Sequence, residues 1–250
     1  MARSATVLAV LIVFSTFTGA AQAQTASKPD GMWRGAIGAG MSATSGNTDS
    51  TNFNVSADAV RETNYDKLNG YLQALYGTRE NGGATEKTSE LIRAGGGYNR
   101  DTNHRFFGFG TLDFERNGLI DLDLRSVFAG GIGYHIIRSE RLNFDISTGP
   151  AYNREQYKTL TRDALEWLFA EESTHTLNPA VSFRQRLTYY PSLRESGEYR
   201  VVFDGGFVFK ITERWNATMT LNDRYQSNPL IGVKKNDVLF VTGLQYAFNP

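Results

Sequence analysis

The sequence predicts an all-β protein: one transmembrane antiparallel β-barrel of about twelve strands, of the bacterial outer-membrane type. Three observations carry this reading. The first residues form an export segment, the remainder alternates with period two over some ten residues at a time, and the connections alternate between short turns and longer polar loops. Each is taken in turn.

Residues 1–23 have the layout of a secretory signal: Arg3 supplies the positive start, Ala5 to Phe17 the apolar stretch, and Ala21-Gln22-Ala23 an A-x-A cleavage site with Ala21 and Ala23 at its small-residue positions. The apolar stretch is shorter than the ~20 residues a spanning helix needs, so cleavage is expected rather than anchoring. Residues 24–32 are then a short N-terminal extension and 33–248 the barrel.

Composition agrees with a β protein. The 250 residues hold no cysteine, 25 glycines, 12 tyrosines and 16 phenylalanines. Without cysteine, disulfide scaffolds, thiolate metal sites and thiol catalysis are excluded. Lys+Arg and Asp+Glu balance at 26 each, which offers no basic footprint for nucleic acid.

Alternation is clearest in Trp215–Tyr225, where Trp215, Ala217, Met219 and Leu221 share one face and Asn216, Thr218, Thr220, Asn222 and Arg224 the other. Phe53, Val55, Ala57 and Ala59 likewise oppose Asn52, Asn54, Ser56 and Asp58. Period two means strands. Expected spans are 33–44, 50–62, 67–80, 87–100, 104–116, 120–137, 141–155, 164–176, 180–190, 199–213, 215–227 and 237–248. Within 164–176 the run Ala164 to Ala170 also suits a short helix, but Leu177-Asn178-Pro179 turning into the patterned Val181, Phe183 and Leu187 favours a strand.

The connections after even strands are short, whereas those at 81–86, 156–163, 191–198 and 228–236 are longer and polar. Outer-membrane barrels keep short turns on the periplasmic side and longer loops outside, an asymmetry that needs an even strand number. Under this assignment Trp33, Tyr98, Phe106, Tyr134, Trp215, Tyr246 and Phe248 fall at one set of strand ends and Phe114, Tyr152, Trp167, Tyr189, Tyr199 and Tyr225 at the other, as two interfacial girdles. The ending Thr242-Gly243-Leu244-Gln245-Tyr246-Ala247-Phe248 resembles the signal by which bacterial barrels engage their assembly machinery, with Gly243, Tyr246 and Phe248 as its marked positions. Asn249 and Pro250 follow where such signals usually stop.

GAGMSATSGNTDST (Gly38–Thr51), GPAYNRE (Gly149–Glu155), FRQRL (Phe183–Leu187) and LQYAF (Leu244–Phe248) together resemble the bacterial family known as domain of unknown function 481, some of whose members are described as salt-induced outer-membrane proteins. The resemblance implies an outer-membrane barrel and brings no catalytic residue, cofactor or ligand. Ser45-Gly46-Asn47 has a plain use as a tight turn, since Gly and Asn accept positive φ.

Sites for chemistry are sparse. His104, His135 and His175 are too few and too scattered for a histidine metal cluster. A serine hydrolase acting on lipid would need its Ser–His pair on the lipid-facing surface; Ser173 and Ser182 are nearest to His175 in sequence, and Ser182 alternates inward. No enzyme and no cofactor are expected.

The inward positions are charged with both signs: Asp58, Asp113, Asp121, Asp123, Asp145 and Asp204 against Arg125, Arg184, Arg186, Lys210 and Arg224. A twelve-stranded barrel is wider than one that side chains alone fill and narrower than general porins. Charges pairing across such a bore should leave little free passage; the sharper alternative is a narrow, selective path. The expected role is envelope structure or adaptation to salt stress, with a low-conductance channel as the first rival and a lipid hydrolase as the second. Expected partners are outer-membrane lipid and lipopolysaccharide, with the assembly machinery during biogenesis.

Overall fold

The computed structural model describes residues 28–45, 50–81 and 84–249. Twelve antiparallel strands follow one another in chain order and close on themselves: β1 (Trp33–Ser45), β2 (Ser50–Glu62), β3 (Asp66–Asn81), β4 (Ala84–Asp101), β5 (Phe106–Asn117), β6 (Leu122–Arg138), β7 (Leu142–Tyr157), β8 (Thr161–Asn178), β9 (Val181–Pro191), β10 (Tyr199–Lys210), β11 (Trp215–Gln226) and β12 (Asn236–Phe248). Each strand pairs with its chain neighbour, and β1 pairs with β12 from Gly35↔Phe248 to Ser45↔Val238. The segment 164–176 lies within β8, a strand, as Thr161 to Gln156 and Phe169 to Tyr189 pairing shows. The export segment 1–23, with Ala21 and Ala23, and Gly46 and Asn47 of the expected tight turn lie outside the described residues.

Alternation decides which way each side chain points. On β2, Phe53 is 71% exposed on the outside while Asn52 and Asn54, its neighbours, are 2% and 6% exposed within the wall. The same inversion holds around the barrel: Ile37, Leu72, Ile92, Leu112, Phe128, Ile132, Phe169 and Leu244 are exposed. In water so broad an apolar surface would be unstable; against acyl chains it is the expected coat of a membrane barrel.

Aromatic rings edge this coat. At the end carrying the short turns (the turn end), Trp33, Tyr98, Phe106, Trp215, Tyr246 and Phe248 are exposed. Their polar tips are occupied: Tyr98 donates to Asp66 at 2.5 Å, and Arg214 donates to the Tyr246 hydroxyl at 3.0 Å. At the opposite, loop end, Tyr152 donates to Asp163 at 2.7 Å, and the Tyr189, Tyr199 and Tyr225 rings follow one another at 5.6 and 5.7 Å.

Several strands run further at the loop end than the sequence-based spans. β3 and β4 continue to an Asn81↔Ala84 pair, and β7 and β8 to Gln156↔Thr161, where loops were expected. Polar residues read as loop, yet a ladder that extends into water keeps its backbone bonds and needs no apolar side chains. β10 stops at Lys210 rather than at residue 213, because Thr212 turns the chain: its hydroxyl accepts the Arg214 and Trp215 amides.

The interior is not uniformly polar. Leu75 and Leu91 meet Leu239 and Val241 on one side, and Ala151, Leu168, Ala170 and Tyr190 pack with Phe109, Ala129 and Val202 on another. Two dry clusters thus thicken the wall, and the polar bore runs between them.

Candidate functional site: the charged bore

A cavity of about 1240 Å³ occupies the interior. Its lining includes Glu62–Lys67, Ser139, Glu140 and Pro179 at the turn end, and Leu119, Ile120 and Val233–Lys235 at the loop end. Spread over the roughly 25 Å of a membrane-spanning wall, that volume averages about 50 Å² of cross-section. Paired charges and a sizeable interior cavity therefore coexist. The reason is register: charged side chains find partners sideways, on neighbouring strands ~4.8 Å away, rather than across the lumen.

The tightest example crosses four strands. Arg93 on β4 is paired in register with Glu115 on β5, Glu115 with Arg125 on β6, and Arg125 with Glu155 on β7. Arg93 Nε lies 2.8 Å from Glu115, Arg125 reaches Glu115 and Glu155 at 3.1 Å each, and Asn153 and Tyr157 donate to Glu155 at 3.1 and 3.0 Å. These four charged side chains are only 2–14% exposed. Nearby, Arg200 grips Glu166 through two bonds of 2.8 and 2.6 Å and stacks over Tyr190 at 4.5 Å. Desolvated charges of this kind persist only when fully paired.

A second row is open to the bore. His135↔Asp145, Asp145↔Glu172, Glu172↔Arg186 and Arg186↔Asp204 are successive register pairs on β6 to β10. Glu172 takes Arg184 as a close partner and Arg186 at 3.8 Å, while Arg224 reaches Asp204 at 3.6 Å and Asn222 donates to the same carboxylate. The side chains of Asp145, Glu172, Arg184, Arg186, Asp204 and Arg224 are 25–35% exposed, so they keep part of their surface towards the cavity. At the turn-end mouth His135 stands between two carboxylates, 2.6 Å from Asp145 and 3.3 Å from Asp101, with Phe107 stacked on its ring at 4.6 Å.

Of the inward residues expected from sequence, Asp113, Arg125, Asp145, Arg184, Arg186, Asp204, Lys210 and Arg224 line the cavity. Asp58 lies on the inner side of β2 and accepts Gln245 at 2.9 Å. Asp121 and Asp123 do not face the bore. Asp121 caps the short 3₁₀ turn Gly118–Ile120 with φ 54° and binds Lys158 at 2.5 Å, outside the strands. Asp123 falls where the β6–β7 register slips between Leu122 and Leu124, which breaks the alternation and leaves it exposed at the rim. Sequence reasoning missed Arg93, Glu115, Glu155, Glu166, Glu172 and Arg200. Glu115 shares the parity of Asp113 on the same strand, so alternation could have found it.

The histidines do not converge: His104 lies in the β4–β5 turn, and among the described residues no three acidic or histidine groups are placed to hold a metal ion. His175 Nε2 lies 3.1 Å from Ser173 Oγ on the outer face of β8. Ser173 is 3% exposed, however, which leaves an ester carbonyl no approach to its hydroxyl. The pair satisfies two polar groups on the face of β8 where Gln185 also donates to Glu171 at 3.2 Å. Of the assembly-signal positions, Gly243 faces Gly40 across the β1–β12 pairing, and Tyr246 and Phe248 point outward at the turn end.

Closed antiparallel wall, apolar exterior, aromatic edges and charged interior define a transmembrane β-barrel. The sequence matches the family described as "Protein of unknown function, DUF481" over residues 37–248, and the chain belongs to that family. No curated protein sequence matches it. Among solved structures it is similar in fold to the NanC porin, with TM-score 0.54 and 10% identity over 84% of this chain and 98% of that one. Looser likenesses are the KdgM porin in complex with disordered oligogalacturonate (TM-score 0.48, 11% identity, covering 86% and 99%) and the translocator domain of the autotransporter NalP from Neisseria meningitidis (TM-score 0.49, 12% identity, covering 86% and 88%).

Proposed function

We propose that this protein resides in the outer membrane of a Gram-negative bacterium, delivered there by a cleaved signal peptide, and works as a narrow channel for small polar solutes. The observation that carries the reading is the interior cavity lined by residues of both mouths. Sideways pairing of the charges supports it, because it satisfies Arg93, Glu115, Arg125 and Glu155 against the wall without using the middle of the lumen. Adaptation of the envelope to salt is the physiological setting suggested by the family resemblance, and a passage for small solutes fits it.

A purely structural barrel is the second reading, favoured by the densely packed zipper on β4–β7. Planar-bilayer recording separates the two. The channel reading expects discrete openings of conductance well below that of 16–18-stranded porins. Silent bilayers containing barrel that still migrates as the compact, heat-modifiable form would overturn it in favour of the structural role.

A further inference from the structure

We infer that the bore favours small zwitterions, solutes carrying an ammonium and a carboxylate a few ångströms apart, over net-charged ions and over uncharged solutes of similar size. This rests on the channel reading above and names its substrate class. Among the bore-exposed groups are three acids, Asp145, Glu172 and Asp204, and three arginines, Arg184, Arg186 and Arg224, and the cavity is also lined by a further acid and a further base, Asp113 and Lys210. Their formal charges cancel.

Their order matters as much as their sum. Glu172, Arg186 and Asp204 occupy directly facing positions on β8, β9 and β10, so the sign changes at each strand, every ~4.8 Å. A lone ion beside this row is attracted by one group and repelled by the next, well within the ~8 Å screening length of physiological salt. It gains little and still loses part of its hydration in a narrow bore. A solute whose two charges are separated by about the strand spacing can instead meet an arginine and a carboxylate together, its own carboxylate accepting charge-assisted hydrogen bonds from the guanidinium and its cationic nitrogen drawn to the acid by charge alone, a pairing that an uncharged polyol cannot match in strength. Strand tilt carries the row obliquely up the wall from two neighbouring acids, Asp145 beside His135 at the turn-end mouth and Glu172, and a moving zwitterion then meets alternating partners from Glu172 through Arg186 to Asp204.

The test uses the barrel purified from membranes. In planar bilayers under a potassium chloride gradient, the reversal potential should lie close to zero. In proteoliposome swelling, glycine betaine should enter several-fold faster than erythritol, an uncharged solute of similar mass. Arg184→Ala together with Arg186→Ala should move the reversal potential towards potassium and abolish the betaine advantage; Glu172→Gln, a milder change, should move it towards chloride. A wild-type barrel that conducts but is strongly selective for one ion, or that passes betaine no faster than erythritol, overturns the zwitterion inference and leaves the channel standing. Silent bilayers with no swelling in either solute overturn the channel reading itself, and the inference falls with it.

Discussion

Tyr71 on β3 donates its hydroxyl to Asp113 on β5 at 2.6 Å, across the intervening strand β4, because the residue between them is Gly95. A Cβ at position 95 would stand 2.6 Å from the Asp113 carboxylate and 2.7 Å from the Tyr71 ring. Glycine here is therefore a gap through which two distant side chains meet. Tyr71→Phe leaves an inward carboxylate without its donor and is expected to cost about 1–3 kcal/mol. Gly95→Ala should cost more, since it breaks the same bond and displaces the ring. Urea unfolding of the detergent-solubilised barrel reads both, and wild-type midpoints in the two variants would show the contact to be without consequence.

The zipper on β4–β7 yields a larger expectation. Glu115 is the shared partner of Arg93 and Arg125. Replacing it with glutamine leaves two nearly buried guanidiniums side by side with one carboxylate fewer, a loss of about 3–5 kcal/mol for breaking a buried pair. The temperature at which the compact electrophoretic form gives way to the unfolded one should drop clearly in Glu115→Gln. An unshifted transition would mean the zipper contributes nothing to the fold.

A pH dependence is expected just outside β1. The Arg34 guanidinium, with help from the Met32 amide at 3.0 Å, holds the Asp30 carboxyl well below the ordinary carboxylate range. A depressed folded value means this contact stabilises the segment above the unfolded pKa of ~3.9 and is lost as pH falls towards the folded value. Exchange of the Met32 amide, corrected for its intrinsic rate, should accelerate between about pH 4 and pH 2. Asp30→Asn should exchange rapidly throughout; a wild-type amide indifferent to pH would contradict the assignment.

Assembly supplies the last expectation. The Phe248 ring lies over Gly35 on the facing strand, where an added Cβ would meet it at 2.1 Å. Phe248→Ala should lower the amount of heat-modifiable barrel in the outer membrane and raise degradation in the periplasm. Equal steady-state levels would remove Phe248 from the recognition ending.

Most of the wall was legible in the sequence because alternation is a local signal. Trp215, Met219 and Leu221 opposite Asn216, Thr220 and Asn222 already state which side is lipid. What alternation cannot convey is register. Whether Glu115 meets Arg93, Arg125 or a residue across the lumen depends on how β4, β5 and β6 are offset, and that offset placed both arginines beside it on the wall. Local breaks in the pattern defeated it too: the 3₁₀ turn before Asp121 and the slip at Asp123 put two aspartates at the rim that strict counting sent inward.

The pairing of β1 with β12 has a kinetic side. Every other pairing in the wall joins strands adjacent in the chain, and hairpins of that kind form without long-range loop closure. Joining Gly35 to Phe248 is the step that must bring the two ends of the chain together. Before it, the chain is an open curved sheet with two raw edges, each a template for the wrong neighbour. Where those edges come together, Gly40 faces Gly243 and Ala36 faces Ala247, so neither edge presents a bulky side chain at these positions. There the two backbones can come close, while the Phe248 ring over Gly35 and Tyr246 opposite Ile37 mark the step at which the hydrogen bonds fall into register.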